Sequence, residues 1–321
     1  MLTAQRKLNP VFWQEWTHQT RSGLRTTIIG QVAGPLLIVG LVALCASSVI
    51  NPDLSSFSTR NSRDWLMLTV WVVHAIVAAR CILAGANAIS REHIGQTWDA
   101  LVLTGLSARQ IMLGKWAAAM RRAAPWVLAL AVVRLSMLPI FTVLLTQRFA
   151  FWTYRRMNSG YYDGEFSLTI SWLPWAWILS VVATVALTVL EAACCTALGL
   201  FGSTVTRRGA AAIALAALIR FAPIAIFAGF TRYELGNMSW RYFRYTPFAL
   251  ADGGTSPVYQ LVSPLMQWTA GRHEQALGQL LLVIGMLGLM TFISISVALV
   301  LIRRNGALTQ RQALEPALEG S

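Results

Sequence analysis

The sequence predicts an all-α, polytopic integral membrane protein with six transmembrane helices, an N-terminal helix lying on the membrane surface and one structured loop that leaves the bilayer. Three observations predict it. Hydrophobic residues fill 56% of the 321 positions and charged residues only 12%, whereas a soluble domain carries about 25% charged residues. The apolar residues come in runs long enough to cross a hydrocarbon layer of about 30 Å at about 1.5 Å per residue. They do not alternate with polar residues, as the strands of a membrane barrel would.

Taken in order, Asn9 and Pro10 form a helix start, with Asn as the cap and Pro at the first helical position. Leu8, Val11, Phe12 and Trp16 then recur at near-helical spacing. Trp13 and Trp16 suit the headgroup level, and Arg21 and Arg25 stand where anionic lipid would meet them. The first span is predicted at 27–50, far longer than the roughly 7 to 15 apolar residues of a signal-peptide core. It contains Gly30 and Gly34, one GxxxG that would let another helix come close. The remaining spans are predicted at 65–89, 123–146, 172–204, 210–230 and 277–302. The fourth is longer than a bilayer needs, so it is tilted or extends beyond it. A tight turn from Arg207 to Gly209 joins it to the fifth, and Arg303 and Arg304 close the last. The 231–272 stretch, with Pro257 and Pro264 around an apolar piece, has room for short helices between the last two spans.

The net charge of +13 comes from 24 Arg and 2 Lys against 13 acidic residues. Counted by flank, 14 Lys and Arg lie on the side that holds both termini and 9 on the other. That excess places the termini in the cytoplasm, in a multi-pass cell membrane protein. The basic residues meet anionic headgroups. They are spread over every loop, so the sequence argues against a nucleic-acid footprint, which would gather them on one face. Cys45, Cys81, Cys194 and Cys195 all fall within predicted spans without paired metal or redox spacing, and read as small buried hydrophobes.

The most informative stretch is the polar-rich island 90–115, SREHIGQTWDALVLTGLSARQIMLGK. Thr97 can cap a short helix starting at Trp98, with Asp99 in its first turn where the helix dipole favours negative charge. Gly105 breaks that helix, and Ser107 with Gln110 three residues on forms a capping box for a second one through Ile111, Leu113 and Lys115. Trp98, Leu101, Val102, Leu103 and Leu106 are too apolar for a solvated connection and too interrupted to span a bilayer. Such a surface wants a protein partner or the membrane interface.

The order Glu92, Thr97, Trp98, Asp99, Leu101, Leu103, Thr104, Leu106, Ser107, Gly114, Lys115 resembles the cytoplasmic coupling-helix segment of the type 2 exporter permeases of the ATP-binding-cassette (ABC) transporters. It departs from that pattern at Gly105, where the family has Pro, and at Gln96, where it has Gly. The resemblance implies a permease subunit that docks this segment on an ABC ATPase subunit and pairs with a second permease chain. It assigns coupling to Glu92, Thr97, Trp98, Asp99, Leu101 and Ser107, through packing and capping. ATP would be bound by the partner, because no GxxxxGK[ST] phosphate loop exists in this chain. The competing readings are a membrane anchor that recruits a cytoplasmic ATPase without moving solute, and an intramembrane enzyme. The enzyme reading finds no HExxH and no GxSxG, so no catalytic, metal or cofactor residue is assigned.

Four charged residues, Arg80, Arg134, Glu191 and Arg220, fall within predicted spans, where each costs at least about 2.5 kcal/mol unless paired or wet. Measured from a turn at about 204–209, Glu191 and Arg220 lie about 11 to 13 residues in, or about 18 Å along their helices. They are predicted to pair across a helical hairpin. Arg80 and Arg134 have no acidic partner of their own in any span, leaving a watery path, an acidic ligand or snorkelling open. His74 reads as a packed, hydrogen-bonded residue.

Overall fold

Inside hydrocarbon a chain must satisfy its own backbone hydrogen bonds, so each long apolar run closes into a helix. The computed structural model describes residues 11, 34–36, 39–40, 59–95, 97–98, 101, 106–157, 174–206, 208–233, 246–254, 257–258 and 270–319. Its helices are α1 (Thr59–Ile94), α2 (Ala108–Met157), α3 (Pro174–Thr206), α4 (Gly209–Tyr233), α5 (Thr246–Ala251) and α6 (Ala270–Glu319). Five of them hold stretches long and apolar enough to cross a membrane: Leu68–Ile94, Ala108–Pro139, Trp177–Thr206, Gly209–Ile226 and Leu277–Arg304. These match the second to sixth predicted spans. Of the predicted first span only 34–36 and 39–40 are described, and both are helical. Its remainder lies outside the described residues, as does the surface helix apart from Val11.

One span boundary is corrected. The predicted start of the third span at Ala123 falls inside one helix that begins at Ala108 and carries Pro125 and Pro139 within it. Lys115 and Arg122 make the preceding turns look too polar for a span, yet Lys115 is only 3% exposed because Glu92 pairs with it. The last apolar stretch ends at Arg304 as predicted, while its helix runs on to Glu319, through Ala, Leu, Gln and Arg residues of high helix propensity.

α3 is the hub, packed against α1, α2, α4 and α6. Every residue from Glu191 to Leu200 is buried. The chemistry that permits this is small side chains: Ala192, Ala193, Cys194, Cys195, Ala197 and Gly199 let neighbouring backbones approach. A Cβ on Gly85 of α1 would run into the Thr196 carbonyl oxygen, and one on Gly199 into the Ile82 carbonyl oxygen. The two glycines therefore face each other's helices at the closest α1–α3 approach.

The outer faces are apolar. Leu128, Leu218, Leu281 and Phe292 are 67%, 68%, 68% and 69% exposed, a distribution suited to lipid rather than water.

Candidate functional site

Two constellations stand out, one at mid-depth and one at an end of the bundle. At mid-depth Glu191 of α3 accepts a hydrogen bond from Arg220 Nη2 of α4 at 2.6 Å. This is the predicted hairpin pair, made across the turn that joins α3 to α4. The structure adds two residues that the sequence reading kept apart. His74 Nε2 of α1 lies 3.3 Å from the same Glu191 oxygen, and Arg134 Nη2 of α2 lies 3.6 Å from the other. Arg134 thus shares an acidic partner after all, which corrects the expectation that it has none.

Arg134 also donates to Thr188 at 3.0 Å and to the Asp252 carbonyl at 2.7 Å, and its Nη2 meets His74 Nδ1 at 2.6 Å. Arg220 donates to the Leu250 carbonyl at 2.8 Å. The short helix α5 and the turn after it, within the stretch predicted to hold short helices, therefore cap the cluster. Gly253 and Gly254 have φ of 64° and 86°, a backbone region that favours glycine. A Cβ on Gly253 would collide with the Glu191 carboxylate. His74, Arg134, Glu191 and Arg220 are each at most 5% exposed. The arrangement is a closed ionic tie joining α1, α2, α3, α4 and the α5 turn. Nothing in the pattern of spans signals that Arg134 converges on it, because inter-helix rotation is set by packing.

At the end of the bundle, the island folds back on its own chain. Glu92 at the end of α1 accepts from Lys115 of α2 at 2.5 Å, closing the loop between them. Thr97 turns its hydroxyl to the Glu92 carboxylate, while its carbonyl accepts from the Leu101 amide at 3.0 Å, as a helix start requires. The Ser107 amide donates to Gln110 Oε1 at 3.0 Å and the Gln110 amide to Ser107 Oγ at 3.2 Å. That reciprocal pair is the predicted capping box.

Trp98 is only 6% exposed. It packs in one apolar cluster with Val11, Ile89, Ile111, Met112, Leu200, Ala298 and Ile302, with Leu101 and Leu106 against it. Its ring centroid lies 5.0 Å from that of His93. Trp98 therefore faces its own bundle, where the sequence reading turned it outward to a protein partner or the membrane interface. Thr97 and Ser107 are exposed, Glu92 and Leu101 half-buried, and Asp99 lies outside the described residues. What this end presents instead is Ile94, 76% exposed, together with exposed Arg91, Arg109, Arg208, Arg303 and Arg304. Glu92, the acidic residue described here, is already closed on Lys115.

Arg80 belongs to neither group. It is exposed on α1 with its guanidinium 4.9 Å from the centroid of the Trp126 ring. Among the described residues no group of three or more His, Cys, Asp or Glu could hold a metal ion. Cys81, Cys194 and Cys195 are buried free thiols, and Cys45 lies outside the described residues.

Fold and sites together define a helical, multi-pass membrane protein with an ionic tie at its centre. Comparison with known proteins finds no matching family model, no matching curated protein and no matching solved structure. A narrower assignment rests on the geometry.

Proposed function

We propose that the chain is the membrane-spanning permease subunit of an ATP-driven exporter of the type 2 ABC class, working in the cell membrane with a separate ATPase subunit and a second permease chain. The observation that carries this reading is the set of ties that the described residues of the island make between α1 and α2. A connection of this length that served only to join two helices would need no capping box, no loop-closing ion pair and no inward tryptophan. The ties among its described residues join it to α1 and α2, and in this reading it acts as a lever. Force applied to it passes directly into both helices.

In this reading Glu92, Lys115, Thr97, Ser107 and Trp98 hold the lever's shape, and Ile94 with the surrounding arginines meets the partner. The partner's surface is accordingly acidic around an apolar pocket that takes Ile94. ATP binding and hydrolysis in the ATPase pair would rock the levers and alternate access between the two sides of the membrane. ATP binds the partner, and this chain contributes no catalytic group.

The test is to tag the chain in its own host, extract it in mild detergent and identify what accompanies it. A co-purifying protein that carries a phosphate-binding loop and hydrolyses ATP is expected. Ile94→Asp combined with Arg91→Glu should release it while the chain stays monodisperse. Intact, monodisperse chain with no ATPase partner would overturn the reading.

A further inference from the structure

An arginine side chain carries hydrogen-bond donors and no acceptor. Arg134 Nη2 lies 2.6 Å from His74 Nδ1, so that ring nitrogen accepts and carries no proton. The single proton of a neutral imidazole then stands on Nε2, 3.3 Å from Glu191 Oε1. Its two partners thus fix both the tautomer and the charge of a side chain that is buried in the bundle. The charged groups around it come from four other elements: Arg134 of α2, Glu191 of α3, Arg220 of α4 and Asp252 in the turn after α5. α3 adds the buried thiols Cys194 and Cys195 one turn past Glu191, and α1 itself adds Arg80 and Cys81 about two turns away. On α6 the titratable groups among the described side chains are Arg303 and Arg304, at its far end. A second proton on His74 has one place to go, Nδ1, where it would point at the guanidinium. The proton and the Arg134 contact therefore exclude each other.

A polar file leads to this site from the end of the bundle away from the island. Ser180, Thr184 and Thr188 stand one turn apart on the face of α3 that carries Glu191, and all three are buried. Thr184 Oγ1 donates to the Ser180 carbonyl and Thr188 Oγ1 to the Thr184 carbonyl, each at 2.7 Å, while Arg134 Nη1 donates to Thr188 Oγ1. Ser180 Oγ and Glu191 Oε2, the two ends of the file, make no hydrogen bond among the described residues. Leu187 and Val283 flank the same Gly254, and Leu200 shares a cluster with Ala298 and Ile302. α6 therefore runs parallel to α3 and brings the buried Gln279 to the level of Ser180 and Thr184. Ser180 is three residues inside its span, about 5 Å from the end. Towards the island the path closes: Thr196 is occupied by Trp116 Nε1 and the Ala192 carbonyl, and α1 meets α3 backbone to backbone at Gly85 and Gly199.

We propose that His74 is a proton-binding site, supplied along the Ser180–Thr184–Thr188 file from the end of the bundle away from the island, and that taking up the proton parts Arg134 from His74 and so unlinks α2 from α1. The proton comes from water at that end and passes along hydroxyls that both accept and donate. It binds the lone pair of Nδ1, and no covalent bond breaks. Arg134 keeps Thr188 and the Asp252 carbonyl, so α2 stays tied to α3 while its tie to α1 opens. Acid favours the opened arrangement, because that arrangement binds one proton more than the closed one. The site is independent of what the island meets.

The experiment measures the α1–α2 distance in the full chain in nanodiscs, by electron–electron resonance between spin labels on cysteines placed at the exposed Val72 and Val132, with the unsubstituted chain as the labelling blank. Between about pH 8 and about pH 5, the interval in which imidazole ordinarily changes charge, a second, longer distance is expected to appear and to vanish on return to the higher pH, with helical circular dichroism unchanged. The ratio of long to short distances should change by up to about tenfold per pH unit, the limit for one proton. His74→Gln can accept from Arg134 and donate to Glu191 but takes no proton, so it should hold the short distance throughout. The variant His18→Gln/His93→Gln/His273→Gln leaves His74 as the one histidine and should keep the full response, which decides the matter even where His74→Gln does not fold. Thr184→Val removes a hydroxyl at nearly constant size, and in samples frozen at intervals after an acid jump it should reach the same end point several-fold more slowly. A distance that ignores pH, a response that survives His74→Gln, or one lost in the triple variant overturns the proton site; an unchanged rate in Thr184→Val overturns the route to it.

Discussion

Glu191→Gln changes one atom of the side chain and keeps its size, so packing around α3 is preserved while the negative charge is lost. Arg220 then keeps the Leu250 carbonyl, and Arg134 keeps Thr188 and the Asp252 carbonyl, but neither retains the Glu191 carboxylate as counter-charge. Removing one partner of a buried ion pair costs about 3 to 5 kcal/mol, and here one carboxylate faces two arginines at 2.6 and 3.6 Å. About 3 kcal/mol alone shifts the folding equilibrium by roughly 150-fold. Reversible unfolding in mixed detergent micelles, followed by helical circular dichroism, measures it. The double variant Glu191→Gln/Arg220→Met removes one charge of each sign. It should recover about 0.5 to 3 kcal/mol relative to the sum of the single losses, the range for residues in direct contact. A Glu191→Gln protein within about 0.5 kcal/mol of the parent, or strictly additive losses in the double variant, would refute the view that charge compensation holds this tie together.

Three further outcomes follow from the packing. Gly253→Ala should destabilise by about 1 kcal/mol or more, because its φ of 64° disfavours a side chain and the new Cβ is driven into Glu191; the same unfolding assay reads it. Gly85→Val should part α1 from α3 and cost about 1 to 3 kcal/mol, and disulfide crosslinking between cysteines placed on the two helices should slow in step. Trp98→Ala should cost about 3 to 5 kcal/mol by emptying a buried site, whereas Ile94→Asp should leave stability unchanged and weaken only partner binding; equal loss of stability in both would sink the division between lever and contact.

Much of the helical architecture is legible in the sequence because hydrophobic run length and helical closure are set locally. The turn at Arg207 to Gly209, the Ser107–Gln110 box and the Glu191–Arg220 pair could all be read by counting residues along one or two helices. Arg134 and His74 could not, since their convergence on Glu191 depends on how α1 and α2 rotate against α3. The same limit explains Trp98. A tryptophan in a polar stretch looks like an outward anchor until the positions of Val11, Leu200 and Ile302 are known, and these come from three distant parts of the chain. The Glu92–Lys115 pair went unread for a related reason: the two residues are 23 apart, and only the loop's return brings them together.

The central ionic tie also sets an order of assembly. Ribosomes deliver Arg134 to the membrane before Glu191, which follows 57 residues later, a delay of roughly 3 to 11 s at about 5 to 20 residues per second. Arg220 arrives after its carboxylate, and the Asp252 carbonyl last of all. For the whole of the first interval α2 carries a positive charge with no counter-charge yet made at its depth. α2 must therefore wait beside the insertion machinery, or in contact with water, until α3 is complete, so the nascent helices associate as a group rather than partitioning into lipid one by one.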